Sequence, residues 1–427
     1  MTEPGTVLST PTAPRPPARA AGTDRPPSGR LRRVRQLRRA GVLCTAVTAL
    51  LFAALGTTAT AVVPEERPSP SVAQAGVPAG VTAGVAVFDR QTGTFTEQVN
   101  SSEQFRSASV VKLLITLDLL WNRTPAGLTA ADRARVDAML RASDDTAASH
   151  FWSTQGAGAI IDRMVPRLGL TDTARPPSTH PGYWGYTALS ARDTVKIYRY
   201  LLDSAPAAVR DYVLGNLRQS TRCASDGYDQ HFGIAGSFDR PWAVKQGWSG
   251  FSSGGCTATA GTAARNADGA DADGADASGA RAAAGAEAVD LARPALHTTG
   301  VVGAGDRSVV AVLTLHPAGT SYGKAYTDLG RLTRSLNVPG APRPAGTWVG
   351  TWGSGIRVRA EATTGATALT TLPAGAEVLV KCQKRGQQVS VPPYVNDWWA
   401  YLPQYGGYMS NIYLSSPDNQ VPGVPVC

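Results

Sequence analysis

The chain has 427 residues, 43% of them hydrophobic, with 45 glycines and 30 prolines, which describes globular modules joined by loose segments rather than one domain. Its formal charge of +9 is unevenly placed: nine arginines against Glu3 and Asp24 in residues 1–39 supply +7 of it. A nucleic-acid footprint needs basic residues clustered on a folded part, so that partner class is set aside.

Residues 1–39 are rich in Pro, Thr and Arg and too poor in apolar side chains to fold, which predicts a disordered basic tail on the cytoplasmic side. Arg30, Arg32, Arg33, Arg35, Arg38 and Arg39 then precede an uncharged stretch, 40–63, long enough to cross a bilayer with its basic flank left inside. The chain beyond residue 63 is therefore expected outside the cytoplasm. Ala59-Thr60-Ala61 resembles a small-residue cleavage site, and the segment fits a cleaved signal peptide and a retained membrane anchor equally. Cys44 lies too early in it and lacks a lipobox. Pro64, Pro68, Pro70 and Pro78 mark 64–80 as a linker.

The run from Val81 to Arg90, the turn Gln91-Thr92-Gly93 and the run from Thr94 to Val99 predict a β-hairpin. From Ser109 to about Leu202 the pattern turns helical, with amphipathic pieces near 109–123, 129–141, 156–168 and 190–203. Ser190-Ala191-Arg192-Asp193 predicts a capping box for the last piece, with Asp in place of the usual Glu. Strands return at Ala243-Val244-Lys245, Ala295 to Val302 and Ser308 to Leu315, and Tyr326 to Leu336 supplies a closing helix. This order gives an α+β sheet domain over 81–337 with a helical subdomain inserted in it. Within it, the Ala/Gly/Asp-rich stretch 256–287 repeats Ala267-Asp268-Gly269-Ala270 as Ala272-Asp273-Gly274-Ala275; it cannot bury a core and predicts a flexible insertion between two strands.

Beyond the Pro-rich linker 338–345 the composition changes. Trp348, Trp352, Trp398 and Trp399, with strand-like runs from Gly355 to Ala360 and from Ala376 to Lys381, predict a separate all-β domain over 346–427. Cys223, Cys256, Cys382 and Cys427 are an even set in an exported chain; of three connectivities, the domain layout favours Cys223 with Cys256 and Cys382 with Cys427. His150, His180, His231, His297 and His316 have no metal-ligand spacing, so neither metal nor cofactor is expected. No Gly-x-Ser-x-Gly elbow supports a Ser-His-Asp triad.

Three short motifs carry the chemistry. Ser109-Val110-Val111-Lys112 opens an apolar helix, and residues three apart are neighbours on a helix, so the Lys112 amine can take a proton from the Ser109 hydroxyl. Ser143-Asp144-Asp145 follows the 129–141 helix, and Lys245-Gln246-Gly247 begins on a strand. In that order the motifs resemble those of the penicillin-recognising serine hydrolases, most closely the class A β-lactamase-like branch, over about residues 81–336. The resemblance implies a β-lactamase/transpeptidase-like sheet and an acyl-enzyme at Ser109, activated by Lys112. Ser143 would relay a proton to the leaving nitrogen, and the Ser109 N–H would be one oxyanion donor. Lys245 would hold a substrate carboxylate, and Gly247 would let substrate backbone approach the strand. Trp184, Trp242 and Trp248 are expected in the core or the cleft wall, and Trp248, just beyond Lys245-Gln246-Gly247, fits either equally.

Departures from that family qualify the expectation. Asp145 stands where the family has Asn, and a carboxylate beside Lys112 favours the charged ammonium or simply orients it. Gln246 replaces a Thr that helps bind the carboxylate, although an amide can still donate. No glutamate occurs between Glu103 and Glu287, so the family's water-activating glutamate is missing, and Asp172 lacks its surrounding signature. The expected substrates are β-lactams or D-Ala-D-Ala-like cell-wall peptides, with slow deacylation. The competing reading is a non-catalytic scaffold of the same fold that binds the cell wall.

In the last domain, Gly355-Ile356-Arg357-Val358-Arg359-Ala360, Leu372-Pro373-Ala374-Gly375, Trp398-Trp399-Ala400-Tyr401 and Gly407-Tyr408-Met409-Ser410 resemble a bacterial SH3-like barrel. The resemblance implies binding to peptidoglycan or another extracellular ligand, with Trp398, Tyr405 or Tyr408 as the contact surface if exposed; the competing readings are a purely structural module and aromatics that fill its core.

Overall fold

The computed structural model describes residues 76–256 and 289–427. The basic tail, the 40–63 segment with Cys44, most of the 64–80 linker and nearly all of the 256–287 insertion lie outside the described residues. Among the described residues, no helix is long and apolar enough to cross a membrane.

The chain enters as a hairpin of β1 (Thr82–Asp89) and β2 (Thr94–Val99). β3 (Phe105–Arg106) leads into a 3-10 turn, Ala108–Val111, and then α1 (Lys112–Leu120). Leu113, Leu114, Ile115, Leu117 and Leu120 are all buried, so α1 is apolar round nearly its whole circumference and forms the centre of the helical layer. Around it lie α2 (Ala130–Arg141), α3 (Asp145–Thr154) and α4 (Ala159–Leu168). β4 (Ala188–Leu189) pairs with β3, and α5 (Ala191–Arg199), α6 (Ala207–Arg218) and the single turn α7 (Ile234–Ser237) come next. β5 (Trp242–Ser249), β6 (Ala295–Val302), β7 (Ser308–Leu315) and α8 (Tyr322–Ser335) complete this part.

The strands run β2-β1-β7-β6-β5, each antiparallel to its neighbours. Alternation along β7 explains the layering: Val309, Ala311 and Leu313 face the core shared with α1, while Val310 and Val312 face the one built on Leu329 and Leu332 of α8. The sheet is covered on both faces, which is why its strands read as continuous apolar runs.

Three local expectations change. Helices α3 and α6 occupy segments in which the amphipathic pattern predicted none. The closing helix starts at Tyr322 rather than Tyr326, because the Ser321 hydroxyl caps the Lys324 N–H at 3.3 Å. The capping box at Ser190 is half formed: Ser190 Oγ accepts from Asp193 N at 3.0 Å, but the Asp193 carboxylate takes the N–H groups of Thr171 and Asp172 and the Thr173 hydroxyl instead.

The C-terminal part is all β: β8 (Thr347–Gly350), β9 (Ile356–Arg359), β10 (Ala368–Leu372), β11 (Glu377–Val380), β12 (Cys382–Val391), β13 (Tyr394–Leu402) and β14 (Gly407–Ser410). Five of these form an open sheet, β10-β9-β14-β13-β12, and β8 pairs with β11 alone. The closed barrel expected from the sequence is therefore not observed; no ladder joins β10 to β12. The module is seated on α8. Glu377 pairs with Arg331 at 3.1 Å and with Arg334, and Thr327 Oγ1 receives the Glu377 N–H at 2.9 Å. Gly323 of α8 abuts the Ala374 carbonyl so closely that a Cβ there would overlap it. Disulfides join Cys223 to Cys256 and Cys382 to Cys427.

Candidate active site

The 3-10 turn and α1 place Ser109 and Lys112 on one side of a continuous helical run, with Lys112 Nζ 2.8 Å from Ser109 Oγ. Lys112 is wholly buried and Ser109 is 6% exposed. The turn is entered through Ala108 at φ +44°, a left-handed conformation that costs a non-glycine residue energy and must be held by its surroundings.

Ser143 is a second left-handed residue, at φ +55°, between the end of α2 and the start of α3. Asp144 caps α3 by accepting from Ala147 N at 2.7 Å, which leaves Ser143 and Asp145 to face Lys112. Lys112 Nζ is 2.7 Å from the Ser143 carbonyl and 3.2 Å from its hydroxyl, and it also contacts the Asp145 carboxylate. A carbonyl and a carboxylate can only accept, so those two partners fix two of the amine hydrogens. The remaining tetrahedral position of the nitrogen is left for the hydroxyls of Ser109 and Ser143.

Lys245 reaches the same hydroxyl from β5: its Nζ is 2.8 Å from Ser143 Oγ and 3.1 Å from the Gln246 carbonyl. Burial, followed by the like charge of Lys112, pushes the Lys245 amine well below its ordinary pKa, against the opposing pull of Asp145 and Asp226. Ser109, Lys112, Ser143 and Lys245 thus form one chain of hydroxyl, amine, hydroxyl and amine. Gly247 packs this chain together, since a Cβ there would stand 3.0 Å from the Ser107 carbonyl and 3.2 Å from Ser109 N. Its missing side chain makes room for the nucleophile turn itself.

Gln246 is turned to a different use from the one expected. Both hydrogens of its amide are committed, to the carbonyls of Gln230 at 3.1 Å and Phe232 at 2.8 Å, and none is left for a substrate carboxylate. Trp248 is largely buried, stacks on Tyr228 and donates its indole N–H to Asp226 Oδ2 at 2.9 Å. Asp172 accepts from Ser190 Oγ at 3.0 Å at the start of α5.

Two neighbours of the site carry no motif of their own. Trp184, on the segment between α4 and α5, lays its ring 4.7 Å from Lys112 Nζ and anchors its indole N–H on Ser149 Oγ at 3.2 Å. Asp226 lies close enough to Asp145 and Lys112 to feel both charges; desolvation first, then the Asp145 carboxylate, raise its pKa, although the residue stays open to solvent. Both arrive through tertiary folding, Trp184 from 72 positions away from Lys112 and Asp226 from 81 away from Asp145. Among the described residues, no group of His, Cys, Asp or Glu could hold a metal ion.

No protein-family model matches the chain. It is 41% identical over 175 residues to the proteins named "Putative lipoprotein LppW" from Mycobacterium bovis and Mycobacterium tuberculosis, a match covering 40% of this chain. The chain spans about half (54%) of the length of those curated relatives. Among solved structures it is similar to a point mutant of PBP-A, seen as its acyl-enzyme complex with penicillin G, with TM-score 0.43 and 15% identity over 64% of this chain and 97% of that one. It is also similar to a class A β-lactamase from Mycobacterium abscessus, with TM-score 0.41 and 18% identity over 60% of this chain and 92% of the other.

Proposed function

We propose that the chain is an exported serine hydrolase, acylated at Ser109 by β-lactams or by D-Ala-D-Ala-like cell-wall peptides. The observation that carries this reading is the 2.8 Å approach of Lys112 Nζ to Ser109 Oγ, with Ser143 Oγ shared between Lys112 and Lys245. Lys112 takes the Ser109 proton as Oγ attacks the substrate carbonyl; the carbon–nitrogen bond then breaks, and the Ser143 hydroxyl protonates the leaving nitrogen. The proton passed to Lys112 returns to Ser143, so the relay ends as it began. Release of the acyl group needs an activated water. The Trp184 ring, 4.7 Å from Lys112 Nζ, offers such a water no acceptor on that side of the amine, which supports slow deacylation.

The Asp145 contact to Lys112 and the occupied Gln246 amide favour the competing scaffold reading, in which the fold is kept and the chemistry lost. Intact-mass measurement after incubation with a penicillin separates the two: an adduct on the parent protein that vanishes in Ser109→Ala supports acylation, and no adduct on the parent sinks it. Hydrolysis of a chromogenic cephalosporin then reports whether turnover is fast or slow. We read the C-terminal module as SH3-like and wall-binding, testable by co-sedimentation of the full chain with isolated peptidoglycan. The two disulfides and the lipoprotein name of its relatives support a place in the cell envelope.

A further inference from the structure

The turn at residues 403–406, between β13 and β14, leaves the C-terminal module and meets the loop 221–232. The Gln404 carbonyl accepts from Arg222 Nη2, Gln404 Nε2 donates to the Gly236 carbonyl, and the Arg222 guanidinium lies 4.1 Å over the Tyr405 ring. On its other side Arg222 Nη1 bonds both oxygens of Asp229, at 3.3 and 3.1 Å. Asp229 is fully buried, and its carboxylate also accepts from His231 N at 3.0 Å. A buried carboxylate persists only when paired, so Arg222 is needed where it stands.

The same loop is fastened to the reactive centre at two places. Thr221 N donates to the Arg141 carbonyl at 3.0 Å and Ser225 N to the Ala142 carbonyl at 2.8 Å, and these are the two residues ahead of left-handed Ser143. Gln230 and Phe232 supply the carbonyls that fix Gln246, next to Lys245. Ser143 and Lys245 are thus flanked by contacts to one loop, whose outer anchor belongs to the other module.

We propose that Gln404 and Tyr405 are positioning residues for the reactive centre: by clamping Arg222 they set the 221–232 loop, and through it the spacing of Ser143 and Lys245. The C-terminal module is then part of the hydrolase apparatus and more than a tether to a ligand. This rests on the acylation reading above. The coupling runs through contiguous hydrogen bonds and a stacked guanidinium, whose planarity lysine does not reproduce.

The test uses the full chain as the parent and as Tyr405→Ala, Tyr405→Phe and Arg222→Lys. The rate of Ser109 labelling is followed against penicillin concentration, alongside hydrogen exchange at the Thr221 and Ser225 amides. Tyr405→Ala lowers the limiting acylation rate roughly tenfold or more, as expected for a misplaced relay group, and strips protection from both amides. Tyr405→Phe, which keeps the ring, restores rate and protection. Arg222→Lys, which keeps a cation for Asp229, behaves like Tyr405→Ala. Parent-like rate and protection in Tyr405→Ala and Arg222→Lys overturn the proposal. Lost protection in a chain whose parent never labels sinks the acylation reading and supports the coupling.

Discussion

The indole of Trp184 covers the amine of Lys112, 4.7 Å from ring centroid to Nζ, and closes one side of the group that faces the nucleophile. A ring in that place keeps an incoming water from the amine on this side and gives it nothing to bond. Trp184→Leu uncovers the amine while keeping an apolar filler. The acyl-enzyme is expected to decay several-fold faster in this variant, read as loss of the mass adduct after removal of free penicillin. An unchanged lifetime would show that the ring does not limit deacylation.

Asp145 bears on the opposite step. Its carboxylate, 54% exposed, touches Lys112, and that ion pair has to be given up before the amine can accept the Ser109 proton. Asp145→Asn keeps the shape and removes the charge. Labelling of Ser109 at neutral pH should then accelerate, by about tenfold for each 1.4 kcal/mol of favourable interaction removed. A slower variant would mean that the carboxylate orients the amine rather than restraining it.

Gly247 allows a sharper geometric test. Gly247→Ala sets a methyl against the Ser107 carbonyl and Ser109 N, and the turn carrying the nucleophile must move. Acylation should slow by roughly ten- to a hundredfold, with little change in the unfolding midpoint, because a shift of a few tenths of an ångström in the turn relieves the crowding. Stopped-flow labelling and a thermal melt on the same sample distinguish this from general destabilisation.

Buried histidines make the fold sensitive to acid. His297 Nδ1 accepts from Thr314 N at 3.1 Å, so its Nε2 carries the hydrogen that reaches the Arg106 carbonyl at 2.8 Å. Burial holds His297 and His316 down to about 4. The native imidazoles bind protons less tightly than the unfolded ones, so stability present above about pH 6.5 is lost as the pH falls towards 4, by about 3 kcal/mol for each residue. In His297→Gln the loss across that window should shrink by about that amount, measured by urea unfolding at a series of pH values. An unchanged slope would reject the assignment.

The Cys223–Cys256 bond closes a loop of 33 positions and pins the segment that carries Asp226 to the end of β5. Replacing both cysteines by serine should cost about 3 to 4 kcal/mol on the chain-entropy estimate for a loop of this size. Urea unfolding measures it. A cost near zero would mean that native packing alone fixes the loop.

Much of the fold is legible in local pattern because its strands are uninterrupted apolar runs: β6 and β7 occupy the very residues that the sequence marks. Helix α3 is hidden because the Ser143-Asp144-Asp145 motif runs straight into its start, and its apolar positions are few. Helix α6, with Val209, Val213 and Leu217 four apart, carries a readable stripe that Pro206 ahead of it obscures. In the site, Ser109 and Lys112 are readable since three positions on a helix already set their distance. Trp184 and Asp226 are not, because nothing in their own neighbourhoods says what they will meet. Gln246 shows the remaining difficulty: its residue type allows a donor, but only the path of the 221–232 loop decides who receives the hydrogens.

The close seating of Gly323 against Ala374 bears on how such a chain can change over generations. With no space for a single methyl at that point, a replacement C-terminal module would have to reproduce the Pro373-Ala374-Gly375 turn before it could dock at all. Any exchange of one part must therefore keep position 323 a glycine or move the turn that meets it.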